Sequence, residues 1–319
     1  MNRLAFIVQG NKKIGHGHIF RCFRIANLLK NKYRIYFYSF NLWNKSITSN
    51  LKYKFIQARS IRKIKNFNFV VIDRLNNNED EIKFLSKNNH KLLIIDDTNE
   101  YKTDNIESIN YLYYKKKQSN NQIKSDLTKF IPIYKSFKKK KLSKNVKKIL
   151  IIQGSSDPHN NFIKIYNSIK IIIKNNPSIK FYFHLGLNNK KNLKYKKLNK
   201  LNDENSNLFL TNNIKNMTNF LSSFDIAITA CGITALDLIY LKVPSIYITN
   251  ENKENNTAKK LHLLKLGFFI GKMTLENKKK LYNILNNLIL NYKLRKEIYN
   301  IMKSLVSKTS NKNLIKIFK

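Results

Sequence analysis

Twice in this chain an apolar run of strand length stops at a glycine, opens into a polar loop and gives way to a helical pattern. The first run is LAFIVQG, ending at Gly10; the second is KKILIIQGSSDP, from Lys147 to Pro158. The same grammar recurs in KFYFHLG, ending at Gly186, and in FDIAITACG, ending at Gly232. Short β-branched and aromatic runs ending in small residues, followed by helical patterns, indicate α/β architecture with largely parallel sheets. The eight glycines are Gly10, Gly15, Gly17, Gly154, Gly186, Gly232, Gly267 and Gly271, and none breaks a long helical period. The pattern predicts an α/β chain of two doubly wound domains facing a central cleft.

In the first half, strands are expected at 3–9, 33–39, 67–73 and 91–97, with a short one at 109–114. Helices are expected at 19–30 and around Glu79–Lys87. The second half restarts at Ile149. Its strands are expected near 149–153, 179–184, 207–210, 224–229, 245–248 and 268–270, and its helices at 160–174, 233–241, 256–266 and 276–317. The lysine run at 137–148 reads as a linker, and the Asn/Lys tract at 187–207 as a loop or poorly ordered insert. A length of 319 residues suits two domains, placed at 1–142 and 143–319, with the last helix able to pack back on the first.

The formal charge of +42 raises the question of nucleic acid. Arginine, the residue that reads bases and forks onto phosphates, occurs only at positions 3, 21, 24, 34, 59, 62, 74 and 295. The remaining basic residues are lysines in a chain also swollen with Asn, Ile, Phe and Tyr. That is a coding bias spread over a solvated surface, so no specific nucleic-acid partner is expected. Contact with anionic membrane surfaces stays open. Two cysteines give neither a disulfide framework nor a metal cluster. The opening MNRLAFIVQG is too short an apolar run for a signal peptide, and no stretch approaches a membrane span. The expectation is a cytoplasmic monomer.

The segment NKKIGHGHIFRCFRIANLL, Asn11 to Leu29, lies where open α/β sheets bind ligands, just past the first strand. Gly15 and Gly17 permit tight backbone geometry. Ile19, Cys22, Phe23, Ala26 and Leu29 fall on one helix face, and His18 and Arg21, three apart, can serve one site. Arg21 in a first turn opposes the helix dipole, a conflict that an anion would remove. A plain glycine turn beside a surface histidine accounts for the same spacing. Elsewhere, Asp96–Asp97 reads equally as a turn or cap, and His159 as a phosphate contact or a surface cap. His90, His184 and His262 read as structural, and Cys22 as a core residue.

On those residues the chain resembles a family. IGHGHIFRCFRIANLL is similar to the G-x-G-H-x-x-R-C-x-x-x-A-x-x-L signature of the UDP-2,4-diacetamido-2,4,6-trideoxy-β-L-altropyranose hydrolases of pseudaminic acid biosynthesis. That family is related to spore coat polysaccharide biosynthesis proteins and to the GT-B transferase that adds GlcNAc to the peptidoglycan lipid precursor. Gly15, Gly17, His18, Arg21 and Cys22 match the signature. VVIDRLNN and KLLIIDDTNE resemble the family's aspartate-ended strands, bringing in Asp73, Asp96 and Asp97. IIQGSSDPHN resembles its second-domain loop through Gly154, Ser156, Asp157, Pro158 and Asn160, with Ser155 where a second glycine is common. FDIAITACGITALDLIYLKVPSIYI resembles the nucleotide region through Gly232, Thr234 and Pro244, with Asp237 for the usual Glu and Cys231 for a small residue. NENKENNTAKKL resembles the family's last motif, with Asn256 near the Gln position. The Arg-x-Asp lead-in of many relatives is absent.

The resemblance implies a GT-B-like fold with a sugar-binding, catalytic first domain and a UDP-binding second. It implies inverting hydrolysis to free sugar and UDP with no metal and no cofactor. His18 would be the general base, with Asp97 or Asp73 orienting it or the sugar. Gly154, Ser155, Ser156, Asp157, Asn160, Gly232, Ile233, Thr234, Asp237 and Asn256, with Gly15, Gly17 and Arg21, would bind substrate. A GT-B glycosyltransferase using a UDP-sugar donor remains the alternative, because it needs the same base and nucleotide site.

Overall fold

The computed structural model of the chain describes residues 1–10, 16–40, 53–74, 77–97, 99, 103–111, 122–123, 131–132, 141–154, 157, 159–186, 193–306 and 310–319. The chain divides into two compact units: Met1–Ile133 with Ser307–Lys319, and Tyr134–Val306.

The first unit is built on β1 (Asn2–Val8), α1 (Gly17–Leu29), β2 (Tyr33–Ser39), β3 (Lys54–Gln57), β4 (Phe69–Asp73), α2 (Glu79–Asn88), β5 (Lys91–Ile95), β6 (Ile106–Ile109) and β7 (Gln122–Ile123). The strands form one parallel sheet in the order β3-β2-β1-β4-β5-β6-β7. Leu4, Ala5, Phe6 and Ile7 are fully buried, as are Val70, Val71, Ile72 and Leu92 to Ile95. Side chains on both sheet faces are thus buried, and each Val, Leu, Ile or Phe among them contributes about 1.5–3 kcal/mol by leaving water. The helix α2 starts on an Asn78 cap, has Glu79, Asp80 and Glu81 in its first turn and Lys87 in its last, so cap and charges suit the dipole.

The second unit contains β8 (Lys148–Ile152), α3 (Asn161–Asn175), β9 (Lys180–His184), α4 (Leu193–Glu204), β10 (Leu208–Thr211), α5 (Met217–Ser222), β11 (Ile226–Ala230), α6 (Ile233–Leu241), β12 (Ser245–Ile248), α7 (Asn252–Leu263), β13 (Phe268–Gly271), α8 (Leu275–Leu290) and α9 (Tyr292–Leu305). Its parallel sheet runs β10-β9-β8-β11-β12-β13. A last helix, α10 (Ser310–Ile317), belongs to the first unit. There Tyr33 donates its hydroxyl to Phe318 O at 2.9 Å, Phe318 packs on Phe69, and Ser310 Oγ donates to Ile131 O.

Four expectations need correction. The tract at 187–207 is helical over Leu193–Glu204, where Leu198 is buried; one apolar anchor in a Lys/Asn background is too weak a period to read. The strand expected at 109–114 runs Ile106–Ile109, and Tyr111 leaves the ladder to donate its N–H to Asp96 after β5; residues 112–114 lie outside the described residues. The helical stretch expected from 276 is three helices, the first two meeting at Asn291, whose side chain caps α9. On α1, Phe23 is half-buried against Tyr53, and Ile25 takes the fully buried place.

Candidate active site

In the first unit the strand order reverses between β1 and β4, the switch point outside which doubly wound sheets hold ligands. Val8 pairs in register with Asp73, so both strands end together and α1 starts beside them. His18 lies in the first turn of α1, partly exposed, its Nδ1 2.6 Å from Asp73 Oδ1. Engaging Nδ1 leaves Nε2 to meet a reactant. Of the two carboxylates that could orient His18, Asp73 is the one bonded to it.

One turn along α1, Arg21 lays its fork on the same carboxylate: Nε donates to Oδ2 at 2.8 Å and Nη2 to Oδ1 at 2.7 Å. Its Nη1 bonds Asp96 Oδ2. The guanidinium is buried, so the anion that offsets its charge is the protein's own rather than a ligand's. Cys22 adds an Sγ–H donor to Asp73 Oδ2 at 3.4 Å, a role beyond that of a small hydrophobe. Burial by itself would raise the Asp73 carboxyl; the charges and hydrogen bonds of Arg21 and His18 outweigh it and hold the group well below the usual carboxylate range. Burial, with Asp73 nearby, pushes the Cys22 thiol up, so it stays protonated and a donor.

Sequence reading missed Tyr111. Its backbone N–H donates to Asp96 Oδ1, and its ring lies 4.9 Å from the Arg21 guanidinium. Asp96 holds a left-handed backbone (φ 54°), its N–H donating to Ile109 O at 2.9 Å. The neighbouring Asp97 accepts from Asn77 Nδ2 at 2.6 Å and Asn99 N at 2.9 Å, and Asn77 accepts from Arg74. His16 is buried, which lowers its pKa. Gly17 opens α1 with open space where a Cβ would stand, so this chain's own packing does not require its glycine. Gly15 lies outside the described residues.

The second unit repeats the geometry. Its order reverses between β8 and β11, and Ile152 pairs with Thr229. Gly154 follows β8 at φ 73°. Ser155 and Ser156 lie outside the described residues. The Asp157 carboxylate accepts from Asn161 N at 2.7 Å and Phe162 N at 3.1 Å, so it caps α3, while Asn160 carries the left-handed turn into that helix. Gly232 precedes α6, whose start has no side-chain cap, and a Cβ there would meet open space. Leading N–H groups in that arrangement suit an anion. Ile233 and Thr234 are half-exposed, Asp237 one turn on is buried, Asn256 is exposed on α7 and His159 is exposed.

Also unforeseen is a buried amide chain behind these strand ends. Gln153 Oε1 accepts from Asn161 Nδ2 at 3.4 Å, which also donates to Asn250 Oδ1 at 2.8 Å, and Asn250 N donates to Glu254 Oε2 at 2.6 Å. Gln153 Nε2 is buried without a partner among the described residues. The available signal was polar residues placed directly after two strands, at Gln153 and Asn250. Cys231 is buried and its thiol pushed up by burial, which removes it as a nucleophile.

Two Rossmann-like parallel sheets in one chain define the GT-B fold, and solved structures agree. The rhamnosyltransferase SpnG of spinosyn synthesis matches 99% of this chain and 100% of its own with a TM-score of 0.65 at 7% identity. MurG of Acinetobacter baumannii matches 99% of each chain at 0.63 and 12%. A Listeria monocytogenes protein described as a UDP-N-acetylglucosamine 2-epimerase matches 100% of this chain and 95% of its own at 0.66 and 10%. In sequence, the uncharacterized protein MJ1062 of Methanocaldococcus jannaschii is 25% identical over 309 residues, 84% of this chain. The chain spans 62% of that relative's length. No family model matches the chain. Among the described residues no helix is long and apolar enough to cross a membrane.

Proposed function

We propose that this chain hydrolyses a UDP-linked 2,4-diacetamido-2,4,6-trideoxy-hexose of the altrose type to the free sugar and UDP, with inversion. The observation that carries the reading is the His18–Asp73 pair at the sheet's switch point. Water attacks the anomeric carbon as the bond to the UDP oxygen breaks. His18 Nε2 takes the water's proton, and the Asp73 carboxylate on Nδ1 stabilises the imidazolium that forms. The leaving diphosphate carries away the bonding pair, and the uncapped start of α6 supplies N–H groups suited to that charge. Gly232, Ile233 and Thr234 serve the phosphates, Asp237 the ribose, and Gly154 and Asn160 the loop beside them. The choice of sugar rests on the GHGHIFRC resemblance.

A transferase reading is favoured by one finding: SpnG, matched along its full length, is named a rhamnosyltransferase. In that case His18 would deprotonate an acceptor hydroxyl instead of water. The deciding experiment supplies the UDP-sugar with no acceptor and follows it by anomer-resolved NMR. The expected result is UDP and inverted free sugar in equal amounts, with His18→Asn suppressing turnover while UDP binding stays close to wild type. Turnover only on adding an acceptor would select the transferase. Wild-type rates in His18→Asn would remove the base role.

A further inference from the structure

His18 does not face Asp73 alone. Behind that carboxylate stand Arg21 and Cys22 from α1, Asp96 after β5 and Tyr111 after β6, all buried. The other buried titratable side chains of α1 and its entry are His16 and Arg24. Of the elements packed on α1, β1 offers Arg3 at its far, N-terminal end, and α10 offers Lys312 and Lys316, which are exposed.

A carboxylate clasped by a bidentate arginine is neutralised and lends little to an imidazolium. Here Arg21 is shared. Two of its nitrogens hold Asp73 and the third holds Asp96. Divided between two carboxylates, the guanidinium neutralises Asp73 less completely than an exclusive pair would, which leaves Asp73 more of its charge to place on His18. Asp96 is fixed for this task by the Tyr111 N–H, by its own left-handed backbone and by the Tyr111 ring beside the guanidinium.

We propose that Asp96, which the structure places on Arg21 rather than on His18, is a positioning residue that sets the basicity of His18 through the Arg21–Asp73 bridge, with Tyr111 holding it in place. The proposal rests on His18 being the working base, but its test reads the ring itself and needs no turnover. Arg21 is thereby an element of the base and not a substrate contact.

The test is an NMR titration of the histidine rings in the full chain, with the His18 signal assigned by its loss in His18→Asn. Replacing Asp96 by Asn removes one of the two carboxylates that share Arg21 and keeps the size; Asn also tolerates a left-handed backbone, so the fold should survive. The His18 midpoint should fall by about one pH unit. Arg21→Gln removes the shared cation and should raise it by a similar amount. Asp96→Glu, which restores the charge, should return the midpoint toward wild type. A merely structural Asp96 would not give opposite signs for the two neutralising variants. If Asp96→Asn leaves the midpoint unmoved while Asp73→Asn lowers it, or if Asp96→Asn and Arg21→Gln move it the same way, the proposal fails. Should Asp96→Asn fail to fold, Asp96→Ser, which also removes the charge and keeps an acceptor for the Tyr111 N–H, should lower the midpoint in the same way, and an unmoved midpoint there overturns the proposal. Opposite shifts in a protein that shows no hydrolysis would keep the array and discard the base role. Hydrolysis with unmoved midpoints would do the reverse.

Discussion

His184 closes β9, buried, with Nδ1 3.2 Å from Thr211 Oγ1 and its ring against Phe220. Burial lowers its pKa to about 4. The unfolded chain therefore binds a proton near pH 6.5 that the folded unit refuses until far lower. Its contribution to stability is complete above pH 6.5 and is lost as pH falls toward 4. By about pH 5 the loss should reach roughly 2 kcal/mol. Urea unfolding near neutrality and near pH 5, in wild type and His184→Gln, measures it: the acid loss should shrink in the variant by about that amount. An equal loss in both would assign the acid sensitivity elsewhere. His18 differs in kind, since its partner is an aspartate held ionised by Arg21. The residue types at 18, 21, 73 and 96 were legible in the sequence. Their joining was not, because Arg21 meets carboxylates 52 and 75 positions away, and only the packing of α1 over the ends of β4 and β5 brings them together.

Between elements, Arg295 acts as a clamp. From α9 it donates to Leu288 O at 2.6 Å and Ile289 O at 2.9 Å, carbonyls in the last turn of α8, and to Ser143 O at 3.3 Å on the chain leading to β8. A buried cation here answers helix-end carbonyls that nothing in α8 can satisfy. Arg295→Met keeps much of the volume but removes every donor, and should cost about 2–4 kcal/mol in urea unfolding, with Arg295→Lys recovering part of it. A loss below ~1 kcal/mol would mean that the clamp is ornamental. The central strands were readable because their apolar runs are largely buried, and α6 because Gly232 precedes a dense apolar period; β3, part-exposed, and the two-residue β7 were not. The helix at Leu193–Glu204 was not, and Asp157, matched to a ligand loop, spends its carboxylate on the start of α3. The nucleotide proposal therefore leans on α6. Thr234→Ala should weaken UDP binding by roughly 1 kcal/mol if one hydrogen bond is lost. Unchanged calorimetry for both Thr234→Ala and Asp237→Ala would move the nucleotide elsewhere.

Across the whole molecule, charge divides by residue type. No described lysine is buried, whereas Arg21, Arg24 and Arg295 are. Arg21 and Arg295 stand where a buried cation is held by several acceptors at once, as the planar fork of arginine allows, while Arg3, Arg34, Arg59 and Arg62 are exposed like the lysines. The lysines lie on the surface, where +42 makes a diffuse field and not a reading surface. That field should attract RNA weakly and with a steep salt dependence, since each phosphate neutralised releases counterions. UDP held by N–H groups at a helix start should respond to salt far less. Binding of RNA and of UDP, measured side by side from low salt to about 0.15 M, should separate the two: RNA affinity collapses while UDP affinity changes little. Excess RNA at the higher salt should leave UDP binding intact, and RNA binding should survive His18→Asn. Tight RNA binding at that salt without detectable UDP binding would make the charge the function and end the nucleotide-sugar reading.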